Sequence, residues 1–589
     1  MVVLNFLKDF IPASVSALKG YDRKRFTADV IAGITVGLVA LPLAMAFAIS
    51  SGVKPENGIY CAIVAGFLIS ALGGSRTQIG GPTGAFVVVI FNIVQRHGLD
   101  GLFMCTLMAG VMLLVMGLTG LGSTIRFIPR PVVVGFTNGI AVLIASTQIK
   151  DFFGIDVDKV PGDFIGRIET LALHAMSFSA EDTAVGVGAL VLILFCTRYL
   201  KRVPGYIVAM VVGIALVELF HLNVETIGSR FGGIPSGLPH ILIPTFRFDL
   251  IRPLVSPAIT IAMLGAIESL LSATVADRMS GDKHNPNMEL VAQGVANIVS
   301  PMFGGLPATG AIARTATNIR SGATTPVSGM VHALTLLVVL IVAAPMAKAI
   351  PLSVLAAILF VVSYNMGEWS QIPELLKLSK SDIIVWLLTF LLTVFTDLTT
   401  AVEFGMTLAA LLFIRKVTIT TTVSEVTPEY IEGGRVHILQ DKHIPPYVII
   451  FRIHGPFLFG ATEKIADITT RIQACMRAAK SDAAVDPSQL LPPIVILRLR
   501  NTTAIDATGL HALENLAVQL RDSGRAMILC GAPTQPSELM HQAEFEQHVG
   551  KENICFSVAD ALKRAKEVLP EVEKTAIGSS WVREECGRI

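Results

Sequence analysis

The sequence predicts a polytopic α-helical membrane protein. Fourteen segments form two inverted sets of seven, and a small cytoplasmic α/β domain follows. Three observations predict this. The 589-residue chain is 52% hydrophobic and only 15% charged, which is too little charge for a soluble enzyme of that length. Apolar runs of spanning length recur from Thr27 to Ile414, and charged residues become much denser from Val417 onward. Two short segments, interrupted by Pro and Gly, carry the same Thr-Gly-Ala motif seven spans apart.

A membrane-crossing helix needs roughly 20 apolar residues. The apolar runs place segments at 27–50, 58–73, 82–94, 101–119, 130–148, 183–200, 203–220, 253–277, 287–303, 307–319, 324–344, 351–366, 381–396 and 400–415. Segments 82–94 and 307–319 are too short to cross. Residues 1–26 read as a cytoplasmic N-terminal stretch, amphipathic and basic at its end, with no signal-peptide cleavage site. Residues 27–416 read as the membrane domain, 417–446 as a linker, 447–570 as the α/β domain and 571–589 as a tail.

Basic residues set the orientation. Lys19, Arg23, Lys24 and Arg25, then Arg126 and Arg130, Arg198, Lys201 and Arg202, Arg278 and Lys283, Lys377 and Lys380, and Arg415 and Lys416 all fall on one side if both termini are cytoplasmic. Arg230, Arg247 and Arg252 lie in a longer outside loop. The expected location is the inner (plasma) membrane, with lipid as a partner.

Other classes fit less well. A net charge of +1 argues against a nucleic-acid partner. The seven cysteines form no CxxC pair, so neither a zinc site nor a disulfide framework is suggested. No GxxxxGK[ST] loop is present, which argues against an ATP-driven pump. No cofactor and no enzymatic activity are expected.

The two short segments carry the functional signal. "IGGPTGAFVVVIF" runs from Ile79 to Phe91 and "GLPATGAIARTATN" from Gly305 to Asn318. An odd number of spans between copies inverts the second, as in inverted-repeat transporters. A half-helix starting at the midplane leaves its first N–H groups without partners and its positive dipole end exposed. Two such starts facing one another favour an anion between them. Thr83, Gly84 and Ala85 open the first half-helix; Thr309, Gly310, Ala311 and Ile312 open the second. Gly84 and Gly310 allow close backbone approach. The bland alternative is small-residue helix packing, but two matched motifs in two short segments favour a site. In the first span, Pro42 is expected to kink the helix. Phe47 is expected to form part of an apolar wall beside the same cavity.

Ionisable residues inside spans are functional candidates. Glu268 lies well inside the eighth segment, and burial favours the neutral form of a carboxylate. That suits proton binding; pairing with Arg314 is the alternative. Ser272 lies one turn later on the same face. Arg314, four residues after Gly310, either adds positive potential below the anion site or pairs with Glu268. Asp277, Arg278 and Arg320 read as solvated ends or anchors, and Glu403 and Asp397 as residues near the outside face.

In the tail, "YVIIFRIHGPFLFG" reads as two short strands, "GATEKIADITTRIQACMRAAK" as a helix and "PPIVILRLRN" as a buried strand. "DATGLHALENLAVQLRDSG" reads as a turn into a helix, and "RAMILCG" as another strand. Asp506 or Thr508 caps that helix; a phosphate on Thr508 would meet its N-terminus.

The chain resembles the SulP anion transporters over nearly its full length. The resemblance is carried by "DVIAGITVGLVALPLAMAFAI", "GGPTGAF", "AIESLLSATVAD", "NMELVAQGVANIVSPMFGG" and "GATTPVSG". The tail, with "AIDATGL", is similar to that family's STAS domain. The resemblance implies a core and a gate domain, a homodimer, elevator-like movement of the core, and an anion held between the third and tenth segments. Glu268 stands where the family's sodium-coupled bicarbonate carriers have an aspartate, and Ile312 where they have a threonine cation ligand. The missing oxygen argues against sodium, and the glutamate resembles the proton-linked members. Leu43 follows Pro42 where the family commonly has Gln.

These readings converge on a secondary active anion transporter, proton-coupled, carrying sulfate or a similar small oxyanion, with bicarbonate and C4-dicarboxylates as alternatives. A nucleobase–proton symporter of similar plan would need a second buried carboxylate near the tenth segment, where Arg314 stands. An uncoupled anion channel and a regulatory scaffold are the rivals from other classes.

Overall fold

The computed structural model describes residues 10–17, 19–123, 129–157, 160–200, 204–235, 237, 241, 247–396, 398–426, 444–481 and 491–575. Two compact units divide between Ala409 and Ala410.

The first unit is helical. Helix α1 spans Arg23–Ser50, its start capped by Asp22, whose carboxylate accepts from Arg25 N at 2.7 Å. It continues through Pro42 without ending. Helix α2 spans Pro55–Leu72 with proline at its first position, where the missing N–H has no intrahelical partner to lose. The chain then forms the two-residue strand β1, Gly80–Gly81, and a 3₁₀ turn, Gly84–Phe86. Helix α3, Val87–Leu118, follows directly. The third and fourth segments therefore run on, separated by a break at Gly98 (φ 70°, ψ −172°). Helices α4 (Arg130–Phe153), α5 (Ala180–Tyr199) and α6 (Gly205–Phe220) complete the first half.

The second half repeats the plan. Helix α7 spans Ile251–Ser280 and α8 spans Pro286–Val299. Strand β2, Thr309–Gly310, leads into the nine-residue α9, Ile312–Arg320. At 1.5 Å per residue, α9 is about 14 Å long, half of what a crossing needs. Helices α10 (Val327–Ala347), α11 (Leu352–Met366), α12 (Lys380–Phe395) and α13 (Leu398–Thr420) follow. Among the described residues, eight helices are long and apolar enough to cross a membrane.

Packing divides the helices into two groups. Around the strands, α1 lies against α2 and α10, and α8 lies against α2 and α3. In the other group α4 packs on α11 and α12, and α5 on α6 and α11. Small residues allow this closeness. A Cβ on Gly294 of α8 would lie 2.8 Å from the carbonyl oxygen of Gly110 on α3.

The second unit holds a five-stranded sheet in the order β3-β4-β5-β6-β7. The strands are Thr422–Glu425, Val448–His454, Ile494–Asn501, Ala526–Cys530 and Ile554–Cys555. Only the β3–β4 pairing is antiparallel. Ile449, Phe451, Val495 and Leu497 enter one core, and Val448, Ile450, Ile494 and Ile496 enter the other. Burial on both faces explains the unbroken apolar run of the central strand. The helices of this unit include α14 (Ala466–Ser481), α15 (Ala507–Asp522) and α16 (Thr534–Gln542). The last, α17, spans Val558–Thr575.

The structure changes two sequence readings. Residues 422–425, read as linker, form the edge strand β3, and α13 continues to Thr420. A four-residue edge strand is too short for its alternation to stand out. The second strand expected in "YVIIFRIHGPFLFG" is reduced to a single bridge, Phe457 to Ile505, because a 3₁₀ turn begins at Phe459.

Candidate functional site

The two Thr-Gly motifs meet. Strand β1 pairs antiparallel with β2, Gly80 opposite Gly310 and Gly81 opposite Thr309. Ala311 N donates to Ile79 O at 2.8 Å, and Ile79 N donates to Thr315 Oγ1 at 3.1 Å. The pairing brings together two helix starts, Thr83 to Phe86 and Ala311 to Ile312. Neither is closed by its own side chain, so first-turn N–H groups of both remain open to an anion.

Thr83 occupies the position from which a threonine commonly caps a helix. Its hydroxyl instead donates to Glu268 Oε2 at 2.9 Å. Thr83 is buried and Glu268 half-buried. Thr309 is turned away, donating to Gly265 O at 2.8 Å. Ala85, Gly310 and Ala311 are buried, while Ile312 is half-buried at the first position of α9.

Phe47 reaches this centre from α1. A Cβ on Gly84 would lie 3.3 Å from Phe47 Cε1, 3.0 Å from Ile144 Cδ1 and 3.3 Å from Met366 Sδ. The apolar wall read from Phe47 therefore includes Ile144 of α4 and Met366 of α11. A Cβ on Gly310 would collide with the Gln78 amide.

Arg314 and Glu268 have separate partners. Arg314 Nη2 donates to Pro82 O, and Nη1, also buried, has no hydrogen-bond partner among the described residues. Nη1 lies 2.7 Å from where a Cβ of Gly81 would stand, and Gly81 has φ +146°. A buried cation with an uncommitted N–H raises the potential behind β1 and β2. The Ser272 hydroxyl is bonded to Thr315 Oγ1 at 3.1 Å rather than to Glu268.

A fully buried carboxylate stands behind the strands. Glu289 of α8 accepts from Gly74 N at 2.9 Å, Ser75 N at 3.2 Å, Ser269 Oγ at 3.2 Å and Gln293 Nε2 at 3.2 Å. Gln78 Nε2 donates to Ser269 Oγ at 2.8 Å. The sequence reading singled out none of these residues. The rule that selects Glu268, an ionisable group well inside an apolar segment, passes over Glu289, which stands in the first turn of α8.

In the second unit, Asp506 caps α15. Its carboxylate accepts from Gly509 N at 2.8 Å and from Phe459 N at 3.0 Å. Thr508 is exposed on the first turn. Asp277 pairs with His284 at 2.7 Å, Glu403 is exposed, and Asp397 lies outside the described residues.

Two helix starts meeting inside a helical unit with eight helices long and apolar enough to cross a membrane, among the described residues, with an α/β unit after it, are the arrangement of a membrane transporter. Comparison places it further. Residues 26–389 match the sulfate permease family and residues 440–561 match the STAS domain. The putative sulfate transporter YvdB of Bacillus subtilis is 40% identical over 91% of this chain and 97% of its own length. The bicarbonate transporter BicA of Picosynechococcus is 30% identical over 91% of this chain and 94% of its own. The murine Slc26a9 anion transporter, solved in its inward-facing state, shares the fold. Its TM-score is 0.81 at 18% identity, covering 96% of this chain and 95% of that one. The chain belongs to the sulfate permease family and is a multi-pass anion transporter with a C-terminal STAS domain.

Proposed function

We propose that the protein is a secondary active transporter that carries a small oxyanion, sulfate first, together with a proton. The observation that carries this reading is the Thr83–Glu268 hydrogen bond at the start of one of the two facing half-helices. In this reading the anion is held by the first-turn N–H groups at Gly84, Ala85 and Ile312, while Ala311, whose N–H is bonded to Ile79 O, fixes the start of the second half-helix. Arg314 supplies positive potential, and Phe47 lines the apolar wall.

Coupling follows from charge. An ionised Glu268 opposes a nearby anion; a proton on it removes that repulsion. Proton and anion therefore favour one another's binding, and linkage makes the effect reciprocal. Ile312 offers no side-chain oxygen at the start of α9, which supports a proton rather than sodium. Ser272 acts indirectly, through Thr315. Sulfate is favoured by the 40% identity to a putative sulfate transporter; the 30% identity to a bicarbonate transporter keeps bicarbonate as the second reading, and succinate stands for the C4-dicarboxylates.

Movement is elevator-like, the strand-bearing group of helices shifting against the other. The protein works as a homodimer in the inner membrane with both termini cytoplasmic, a side set by the basic loops. Thr508 is a regulatory site, its phosphate facing the N-terminus of α15.

The test is uptake into proteoliposomes of labelled sulfate, bicarbonate and succinate, each with and without an inward proton gradient. Gradient-driven accumulation of one of them is expected. Absence of all flux overturns transport; flux indifferent to pH overturns the proton.

A further inference from the structure

Glu289 lies behind the strand pair, in a place that the proposed anion and proton sites do not include. Its carboxylate is fully buried and takes four donors from three parts of the fold. Gly74 and Ser75 belong to the loop that leads into β1. Ser269 belongs to α7. Gln293 belongs to the next turn of α8 itself. Four donors match the acceptor capacity of one carboxylate, so each element is tied to the same point.

Ser269 is the link to Glu268. The two are successive residues on α7, so they project about 100° apart around the helix axis. Ser269 Oγ donates to Glu289 Oε1 and accepts from Gln78 Nε2 at 2.8 Å and Gln293 Nε2 at 2.9 Å. Fixing Ser269 fixes the rotation and height of α7 at this level. Glu268 is thereby aimed at Thr83.

Gln78 is the link to the strands. It immediately precedes Ile79, which binds Ala311 N and Thr315 Oγ1. Its amide occupies the space where Gly310 would carry a Cβ, and Ser269 Cα lies 3.1 Å from the same point. The β1–β2 pairing is thus seated on Gln78 and α7, which are joined at Ser269, and Ser269 donates to Glu289.

We propose that Glu289 is a positioning residue for transport. Through Ser269 it aims Glu268 at Thr83, and through Gln78 it sets the spacing of the two helix starts. This rests on the proton-coupled anion reading above. Each oxygen of Glu289 accepts two of the four donors, so an amide at position 289 would set its NH₂ against two of them and disturb that half of the network.

The experiment uses the full chain in proteoliposomes and whichever of labelled sulfate, bicarbonate and succinate the unsubstituted protein accumulates. Glu289→Gln is expected to lower kcat by about tenfold with KM changed less than about threefold, because a misaimed group loses turnover rather than binding. Ser269→Ala is expected to do the same. The double variant should be no more than about twofold below the worse single one, since the residues act through one chain of bonds. A purely structural role would lower the unfolding temperature and leave kcat per folded molecule unchanged. If Glu289→Gln does not fold, Gln78→Leu and Ser269→Ala replace the pair, with the same non-multiplying loss expected. Wild-type kcat in the folded variants, or losses that multiply in the double variant, overturns the proposal while leaving the transport reading intact. If the unsubstituted protein accumulates none of the three anions, that reading fails first.

Discussion

Thr83 donates its hydroxyl to Glu268 Oε2 at 2.9 Å, across 185 positions of sequence. The bond takes a helix-capping residue away from its own helix and leaves the start of that half-helix uncapped by a side chain. It joins a carboxylate able to bind a proton to one side of the proposed anion cradle.

The hydroxyl, rather than the shape of Thr83, should therefore matter for coupling. Thr83→Ser keeps the donor and should retain accumulation within about threefold. Thr83→Val keeps the shape, leaves Glu268 without that donor, and should lower uptake by about tenfold, the equivalent of about 1.4 kcal/mol, the scale of a hydrogen bond to a charged group. Initial rates of labelled-anion uptake compare the two. Equal rates would remove the hydroxyl from the account.

Gly310 has no room for a methyl group. A Cβ there meets the Gln78 amide and stands 3.1 Å from Ser269 Cα. Gly310→Ala should cost about 1–3 kcal/mol of overpacking strain and abolish most transport. Pairing it with Gln78→Ala opens the space and should recover part of the stability. A thermal melt in detergent decides; an undisturbed Gly310→Ala melt would contradict the packing described.

His332 of α10 is fully buried, and neither ring nitrogen has a hydrogen-bond partner among the described residues. Leaving a buried polar group unpaired costs about 1–3 kcal/mol. Replacing the imidazole by an apolar side chain of similar size should remove that cost, so His332→Leu should melt at higher temperature. A lower melting point would contradict the account of an unpartnered ring.

Asp506 closes α15 and also holds Phe459 N. Asp506→Ala should destabilise the STAS unit by about 1 kcal/mol, typical of a lost cap, with the second bond adding to it. Thr508 is exposed, so Thr508→Ala should leave both stability and basal uptake close to wild type. Proteolysis of the full chain in liposomes reads the first, and uptake the second.

The parts of the fold legible in the sequence were those written as composition or period. Long apolar runs marked the spans, and the repeated Thr-Gly-Ala marked β1, β2 and their half-helices. The strand β3 escaped because four residues at a sheet edge carry little pattern. At the candidate site, the sequence marks Phe47 and Gly84, which lie close together. It does not mark Ile144 and Met366, since contact between distant helices leaves no local mark on ordinary apolar residues. The Glu268–Arg314 question is one of geometry: sequence spacing puts both near the centre, and the fold gives each a different partner. Ser272 was placed beside Glu268 by helical spacing, but α9 supplies Thr315 to it instead. Glu289 carries a weaker signal than Glu268, because an acid in the first turn of a helix reads as an ordinary helix start.

The most direct test of proton-coupled anion transport is accumulation of labelled sulfate, bicarbonate or succinate by Glu268→Gln in proteoliposomes under an inward proton gradient, set against anion exchange without a gradient. A permanently neutral residue 268 should keep exchange and lose gradient-driven accumulation. Accumulation at the wild-type level by the folded Glu268→Gln protein would contradict the role of Glu268 as the proton site.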